Sequence, residues 1–273
     1  MIENPRSARV KAVAKLSRRQ TRQETGLFLL EGPQAVSEAL AWRPELIEDL
    51  FVTPTAAQKH AELVVSATEA NLDAEFVTED VLDVMTDTVT PQGIAAVCRQ
   101  HPTSLKDILA GAPRLLAVLE EVRDPGNLGT IIRAADAAGA DAVVLTGRSV
   151  DPFNPKVVRS TTGSLFHVPL SVGLELGTVL SQLRAAGMSI LAADVKGQDL
   201  LEYRESGALA QQTAWLFGNE ARGLSVDDLQ LADGAIRVPI YGKAESMNLA
   251  TAASVCLYES AFAQAASDKG AVR

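Results

Sequence analysis

The second half of the chain alternates short apolar runs with longer segments in which apolar residues recur every three or four positions. This pattern predicts strands at 114–119, 142–146, 165–169, 188–193, 214–217 and 235–240, and helices at 127–138, 155–162, 176–186 and 248–264. Such alternation is typical of a mostly parallel sheet with helices on both faces. Pattern alone therefore predicts an α/β fold with an open Rossmann-like sheet.

The first hundred residues predict a smaller α/β unit. An amphipathic helix over 5–24 precedes strands at 28–30, 47–52, 74–77 and 94–98, with helices at 34–41, 56–70 and 78–84. Pro102 and Pro113 bracket a connecting segment. The predicted organisation is a basic helical arm (1–25), a small domain (26–100), a linker (101–113), a larger domain (114–266) and a flexible tail (267–273).

One stretch of the larger domain, Leu119–Gly139, combines a strand, a sharp turn and a helix. Asp124-Pro125-Gly126 has the composition of a turn, and Asn127 stands where we expect the helix N-cap. Arg133 lies inside the predicted helix, so its charge must reach a cleft or the solvent. A polar loop between a strand and a helix start is a common place for a binding site.

Two further polar clusters follow apolar strands, at 215–224 and 238–249. Each is, taken alone, an ordinary turn or cap. Loops after the carboxyl ends of parallel strands meet at one edge of the sheet, where open α/β sheets bind ligands. Together the three loops predict a cleft.

The charge distribution points to a polyanionic partner. A net charge of −9 argues against nucleic acid, but residues 1–26 contain seven basic and two acidic side chains, against 18 basic and 32 acidic in the remainder. A basic segment on an acidic protein is typical of polyanion binding, although a solvated surface helix explains this feature equally well.

Several other classes of protein and site are disfavoured. The sequence lacks a P-loop, a dinucleotide-binding glycine loop and a G-x-S-x-G motif. Cys98 and Cys256 lack metal-ligand spacing, which predicts buried thiols in a reducing cytoplasm and neither a disulfide nor a metal site. There is no apolar run of about 18 residues and no secretory signal pattern, so we expect no membrane association.

The three polar clusters, read in order as DPGNLGTIIRAADAAG, LFGNEARGL and VPIYGKAESMNLATAASVCLYE, resemble the three motifs of the SpoU/TrmH family of RNA 2′-O-ribose methyltransferases. The resemblance covers Leu115 to about Ala263. The segment FLLEGPQAVSEAL in the first unit resembles the L30e-like substrate-binding domain often fused to this family. The resemblance implies a deep trefoil knot (an α/β-knot, or SPOUT, domain) in place of an open Rossmann sheet. It also implies S-adenosylmethionine as cofactor and a homodimer formed through the knotted domain.

The resemblance implies roles for individual residues. Arg133 matches the family's catalytic arginine, with two open roles, a base or an electrostatic stabiliser. An arginine is not normally deprotonated in proteins, but a guanidinium can orient a phosphate and a hydroxyl and stabilise developing negative charge. The other members of the implied catalytic set are Asn127, Glu220, Ser246 and Asn248. The implied cofactor-binding set is Leu216, Gly218, Ile240, Met247 and Leu249. RNA contacts are expected from Lys15, Arg18, Arg19 and Arg22.

Some of these roles stay open. The two asparagines are expected to fix loop and substrate geometry, and Glu220 to position either Arg133 or the loops. Ser246 is expected to hydrogen-bond substrate or neighbouring motif residues.

The expected activity is methyl transfer to a ribose 2′-hydroxyl of RNA. Ribosomal RNA of the 23S type is favoured over transfer RNA, because the first domain resembles a module that binds ribosomal RNA. An RNA-binding protein that has lost catalysis is an alternative, and so is an unrelated α/β enzyme acting on a small molecule. The matching catalytic residues argue against the former. The basic segment has no evident use in the latter.

Overall fold

A computed structural model describes residues 1–271, and their side chains up to residue 269. Contacts divide the chain into two compact units. The first unit combines Met1–His101 with Asp151–His167, and the second combines Pro102–Val150 with the chain from Val168 onward. The segment Asp151–His167 therefore belongs to the first unit, although it lies within the predicted 114–266 domain in sequence.

The elements alternate along the chain. The strands are β1 (Leu27–Glu31), β2 (Ile47–Val52), β3 (Ala74–Phe76), β4 (Ile94–Arg99), β5 (Leu115–Glu120), β6 (Ala142–Thr146), β7 (Leu170–Leu174), β8 (Ser189–Asp199), β9 (Thr213–Phe217) and β10 (Gly234–Arg237). The helices are α1 (Ala8–Ala14), α2 (Arg19–Thr25), α3 (Pro33–Trp42), α4 (Pro54–Lys59), α5 (Ala61–Glu69), α6 (Glu79–Met85), α7 (Leu105–Ala110), α8 (Pro125–Ala137), α9 (Pro155–Thr161), α10 (Leu176–Ala185), α11 (Leu200–Glu205), α12 (Val226–Gln230) and α13 (Leu249–Ala271).

The first unit is built on a four-stranded mixed sheet in the order β1-β4-β2-β3. β4 is antiparallel to both of its neighbours, whereas β2 and β3 are parallel. The basic segment at the start of the chain packs on this sheet, because Val10, Val13 and Leu16 are buried in one hydrophobic cluster with residues of β1, β2 and β4. The predicted basic arm is thus part of the core of this unit.

Arg22, predicted as an RNA contact, is only 1% exposed. Its guanidinium donates to the Asp151 carboxylate at 2.6 and 2.9 Å and to the carbonyl oxygens of Leu16 and Ser17 at 2.9 and 2.8 Å. Because these bonds hold the charged group inside the unit, the prediction of an RNA contact by Arg22 is wrong. The other three predicted contacts, Lys15, Arg18 and Arg19, are exposed.

The predicted strand at 165–169 is wrong. Ser164–Phe166 form a 3₁₀ turn, and the strand begins later, at Leu170. Leu165 and Phe166 are buried, and the Phe166 ring stacks on His101 with ring centroids 5.7 Å apart. A short buried apolar run has the same composition in a strand as in a tight helical turn, so periodicity alone does not separate them.

The second unit contains a six-stranded sheet in the order β10-β8-β9-β5-β6-β7, in which all pairings are parallel. One face packs against α7 and α10 through buried Leu, Ile and Val side chains. On the other face the Trp215 indole of β9 donates to the Ser260 hydroxyl of α13 at 2.9 Å. The α/β class and the parallel sheet predicted from the sequence are confirmed. The trefoil knot stays a prediction.

The last helix is longer than predicted. A flexible tail was expected from Ser267, but α13 continues to Ala271. Val272 and Arg273 lie outside the described residues. Across the described chain, none of the helices combines the length and apolar character needed to span a membrane.

Candidate functional site

The three predicted motifs follow strands whose carboxyl ends lie at the same edge of the second unit's sheet. β5 lies between β9 and β6, and its register pairs Leu119 with Phe217 and Glu120 with Thr146. After β5 the chain enters the turn before α8, and after β9 it enters the loop that begins at Gly218. Because the strands are parallel, these loops emerge side by side, as the sequence predicted.

The start of α8 differs from prediction. Asp124 is the N-cap, and its carboxylate accepts from the backbone N–H of Asn127 at 2.7 Å, while Pro125 occupies the first turn. Asn127 as N-cap is therefore wrong. Freed from capping, the Asn127 side-chain oxygen accepts from Nδ2 of Asn248 at 2.9 Å. The first and third motifs are thus joined by a direct amide–amide hydrogen bond.

Asn248 serves the third motif twice. Its side-chain oxygen accepts from the backbone N–H groups of Ala250 and Thr251, at 2.9 and 3.2 Å, and so caps the start of α13. With its oxygen held this way, the Nδ2 group faces Asn127. An aspartate here would keep the cap and lose the donor, so both ends of the amide are needed.

Glu220 fixes the first motif from the second. Its carboxylate accepts from the backbone N–H groups of Arg123, at 3.1 Å, and Asp124, at 2.9 Å. Asn219 adds a bond from Nδ2 to the carbonyl oxygen of Glu121 at 2.9 Å. Of the two roles expected for Glu220, the structure shows the positioning of the loop. No Glu220–Arg133 bond occurs among the described residues.

Arg133 and Ser246, two further members of the predicted catalytic set, are exposed. Arg133 lies on α8, six residues after Asn127 in the same helix. Its guanidinium makes no hydrogen bond or ion pair within the part of the chain that the structure describes. A cation held on a rigid helix beside the motif loops, with its donors available, is suited to contact an anionic ligand.

The predicted cofactor-binding residues lie in or beside the loops of the second and third motifs. Leu216 and Gly218 are buried, while Ile240, Met247 and Leu249 are half-buried. A Cβ atom on Gly218 would lie 2.5 Å from the backbone carbon of Gly223, so only glycine allows this close approach of the chain. The half-buried apolar side chains beside irregular backbone suit a flat apolar group that also seeks main-chain hydrogen bonds.

A fourth loop at this edge was not predicted from the sequence. β8 pairs with β10 through Leu191 and Ala192 and again through Gln198 and Asp199, so the intervening residues loop out of the register. At the return, a Cβ on Gly197 would lie 2.4 Å from the carbonyl carbon of Ala235. The signal available in the sequence was an isolated glycine, Gly197, shortly after an apolar strand, which indicates a bulge or a close backbone approach.

Glu120, at the end of β5, is harder to ionise in the folded protein than in water. Partial burial raises the pKa of this carboxyl, and Asp228 adds to the rise, while a 2.5 Å hydrogen bond from the Thr146 hydroxyl opposes it. The opposite case is Glu175, the N-cap of α10, whose pKa is lowered by hydrogen bonds from the backbone N–H groups of Gly177 and Thr178. The two carboxyls therefore make opposite contributions to stability.

This contrast predicts opposite effects of two matched substitutions. Glu120→Gln should raise the melting temperature at pH 7, because the folded protein no longer ionises a half-buried carboxyl, and the gain should vanish below about pH 4, where glutamates are protonated in both states. Glu175→Gln should lower the melting temperature at pH 7, and this difference from wild type should disappear as the pH falls through the lowered pKa of Glu175. Calorimetry across this pH range checks both, and a destabilising Glu120→Gln at pH 7 would contradict the account.

Both cysteines are buried and free, as predicted. Burial raises the pKa of both thiols, which leaves them protonated and unreactive. Within the described residues, no group of three or more His, Cys, Asp or Glu side chains is arranged to hold a metal ion.

Comparison with known proteins matches the part of the chain that carries the three motifs to a family. The family model described as the SpoU rRNA methylase family matches residues 114–258. The chain belongs to the SpoU rRNA methylase family. A second model, the MRM3-like substrate-binding domain, matches residues 7–96. This SpoU family member thus combines both matches in one chain.

Relatives and solved structures cover nearly the whole chain. A 23S rRNA (guanosine(2553)-2′-O)-methyltransferase, RlmP of Bacillus subtilis, is 37% identical over 94% of this chain and 97% of its own length. An AdoMet-bound rRNA methyltransferase from Sinorhizobium meliloti superposes with a TM-score of 0.81 at 32% identity, covering 95% and 96% of the two chains. AviRb of Streptomyces viridochromogenes, a SpoU methyltransferase in complex with AdoMet, gives 0.81 at 29% identity, covering 95% and 100%.

Proposed function

We propose that this SpoU family member transfers a methyl group from S-adenosylmethionine to a ribose 2′-hydroxyl of ribosomal RNA, of the 23S type. The observation that carries the proposal is the interlocking of the three motifs at one sheet edge. Asn248 bonds Asn127, and Glu220 bonds the turn before α8. Arg133, on α8, makes no hydrogen bond or ion pair with any of the described residues. The 23S ribosomal RNA substrate named for the Bacillus relative supports this choice.

The residues present fit the cofactor. The second-motif loop begins at Gly218, in close contact with the backbone of Gly223, directly after the buried end of β9, while Ile240, Met247 and Leu249 offer half-buried apolar contacts. Such a lining suits an adenosine group, whose flat base needs apolar contact and main-chain partners. When bound, S-adenosylmethionine supplies an electrophilic methyl group.

The chain's own residues then prepare the hydroxyl. A ribose hydroxyl is a weak nucleophile that must lose its proton as its oxygen bonds the methyl carbon. The proton passes to solvent water, and the carbon–sulfur bond breaks so that S-adenosylhomocysteine leaves. Arg133 donates to the adjacent phosphate and to the 2′-oxygen, holding the two in line and stabilising the negative charge that develops on that oxygen. Asn127 and Asn248 keep the loop that presents this geometry rigid, and Glu220 sets the entry of the chain into α8. Ser246, exposed in the third-motif loop, is available to hydrogen-bond the substrate.

The first unit supplies the RNA contact. Lys15, Arg18 and Arg19 are exposed on the basic segment, so phosphate contacts there should weaken as salt rises. Transfer RNA is the alternative substrate, and a catalytically inactive RNA-binding member of the fold is the alternative class. The bonded Asn127–Asn248 pair and the available Arg133 favour an active enzyme.

The test of the proposal is methyl transfer from labelled S-adenosylmethionine to bacterial RNA that lacks the modification. We expect label in the 23S fraction, recovered as a 2′-O-methylnucleoside after digestion. Label in the transfer RNA fraction alone would replace the substrate, and label in a base would overturn the reaction. Cofactor binding measured by calorimetry, without transfer to any RNA, would favour the inactive class.

We also infer a homodimer formed through the second unit. The aromatic rings of Tyr258 and Phe262 on α13 are 36% and 56% exposed, and their centroids are 5.5 Å apart. An exposed aromatic pair on a core helix is typical of an interface. Sedimentation should show a dimer at micromolar concentration, and Phe262→Glu should shift it toward monomer. A monomeric wild type would overturn this inference.

A further inference from the structure

Three arginines converge on one carboxylate next to the first motif. Arg123 donates to Glu121 at 3.1 Å, Arg148 at 3.5 Å, and Arg222 also forms an ion pair with this side chain. The arginines come from three separate stretches of the second unit: the turn before α8, the loop after β6 and the loop after β9. Sequence reasoning assigned none of them.

The Glu121 carboxylate is largely buried, whereas the three arginine side chains are exposed to solvent. The Glu121 side chain is 14% exposed, whereas those of Arg123, Arg148 and Arg222 are 51%, 82% and 65% exposed. Glu121 also has a left-handed backbone, with φ of 52°, which is uncommon for a residue with a side chain and turns it out of the strand direction. Glu121 thus gathers three cations whose outer donors face solvent.

The cluster pairs three arginines with one carboxylate. Among the described residues, Glu121 alone accepts from the three guanidinium groups, because the neighbouring carboxylates of Asp124 and Glu220 accept from backbone N–H groups. A carboxylate accepts a limited number of hydrogen bonds, and three guanidinium forks together carry about fifteen N–H donors. Most of these donors are left for another acceptor, and planar forks match the oxygens of a phosphate group.

We propose that Arg123, Arg148 and Arg222 form a phosphate-binding site for the RNA backbone beside the target ribose. The proposal rests on the proposed function and deepens it, because it assigns to the catalytic unit an RNA contact separate from the basic segment of the first unit. Glu121 is the positioning residue that holds the three arginines around one point. The ligand is a phosphodiester of the substrate RNA.

The carboxylate of the cofactor is an alternative ligand for the same arginines, but the sheet order disfavours it. Arg148 follows β6, which lies on the far side of β5 from β9, β8 and β10. Gly218, which we assign to the cofactor, directly follows β9, and the close backbone approach at Gly197 lies within β8. The open exposure of Arg148 also fits a chain running over the surface better than an enclosed small molecule.

The test compares the triple variant Arg123→Gln/Arg148→Gln/Arg222→Gln with the control double variant Arg114→Gln/Arg184→Gln. The control removes two arginines of the same unit that are similarly exposed and each bonded to one aspartate. The single variant Arg148→Gln guards against misfolding, because its side chain is the most exposed of the three. Dissociation constants for 23S rRNA fragments are measured at several salt concentrations, and for S-adenosylmethionine by calorimetry.

We expect the triple variant to bind RNA at least about tenfold more weakly, and the slope of log K against log salt to fall by roughly 0.7 to 0.9 for each lost phosphate contact. Arg148→Gln alone should lower RNA affinity and the salt slope by less than the triple variant does, because the other two arginines still contact the phosphate. Cofactor affinity should be unchanged in every variant, and the control should match wild type in RNA binding.

If the wild type methylates RNA, either of two results would overturn the phosphate-binding site and leave the proposed function standing. One is a triple variant with wild-type RNA affinity and salt slope. The other is a loss of cofactor affinity with RNA binding intact, which would assign the arginines to the cofactor carboxylate. A wild type that binds the cofactor but neither binds nor methylates RNA overturns the proposed function together with this site.

Discussion

Arg133→Ala is expected to lower kcat for methyl transfer about 10²- to 10³-fold, the cost of removing one donor that stabilises a developing oxyanion. The side chain is exposed on α8 and makes no bond within the described residues, so its loss leaves the fold and the motif loops intact. Cofactor affinity should therefore stay within about twofold of wild type, because Arg133 is not among the residues that we assign to the cofactor. Single-turnover kinetics and calorimetry measure the two quantities separately.

Two companion variants make this result specific. Arg133→Lys keeps the charge but loses the planar fork, and it should recover only part of the rate, because a point charge cannot hold phosphate and 2′-oxygen together. Arg184→Ala removes an exposed arginine of α10 that forms an ion pair with Asp233, and it should leave kcat unchanged. A rate for Arg133→Ala within about threefold of wild type would remove Arg133 from the catalytic set.

Arg22→Ala is expected to lower the free energy of unfolding of the first unit by about 3 to 5 kcal/mol, because it leaves the Asp151 carboxylate partly buried without its partner. The guanidinium also satisfies the carbonyl oxygens of Leu16 and Ser17, which would lose their acceptor bonds. Arg9→Ala is the matched control. Arg9 comes from the same basic segment and pairs with Asp49 and Glu75, but its side chain is 49% exposed, so its loss should cost at most about 1 kcal/mol.

Urea unfolding followed by tryptophan emission measures this difference. The chain has two tryptophans, Trp42 in the first unit and buried Trp215 in the second. With all variants made in a Trp215→Phe background, emission reports on the first unit through Trp42, whose ring lies 4.8 Å from that of His167. Equal unfolding midpoints for Arg22→Ala and Arg9→Ala would show that the buried bonds contribute no net stability.

Much of the second unit could be predicted from local sequence. The central strands β5, β6 and β9 match their predicted ranges to within a residue at each end, because strands buried on both faces are continuous apolar runs bounded by polar turns. The loops of the first two motifs follow β5 and β9 directly, and the loop of the third follows β10. Their convergence at one edge then follows from parallel topology alone.

Other features depend on partners far away in sequence. In the sequence, Arg22 is simply a polar residue of an amphipathic helix. Its buried position depends on Asp151, which lies 129 residues later in the chain. The return of β8 at Gly197 is set by the backbone of β10, and the arginines around Glu121 come from three loops. The N-cap of α8 is different, because a proline in the first turn indicated Asp124 as the cap, and that local signal was available.

The discontinuous first unit constrains how this protein emerges from the ribosome. Residues 1–101 leave first, but Asp151 follows Arg22 by 129 residues. At a synthesis rate of about 5 to 20 residues per second, Asp151 is synthesised roughly 6 to 26 s after Arg22. A truncated gene ending at residue 101 should accordingly yield a poorly folded product. A fusion that restores residues 151–167 through a short linker is the smallest version of the first unit that we expect to fold.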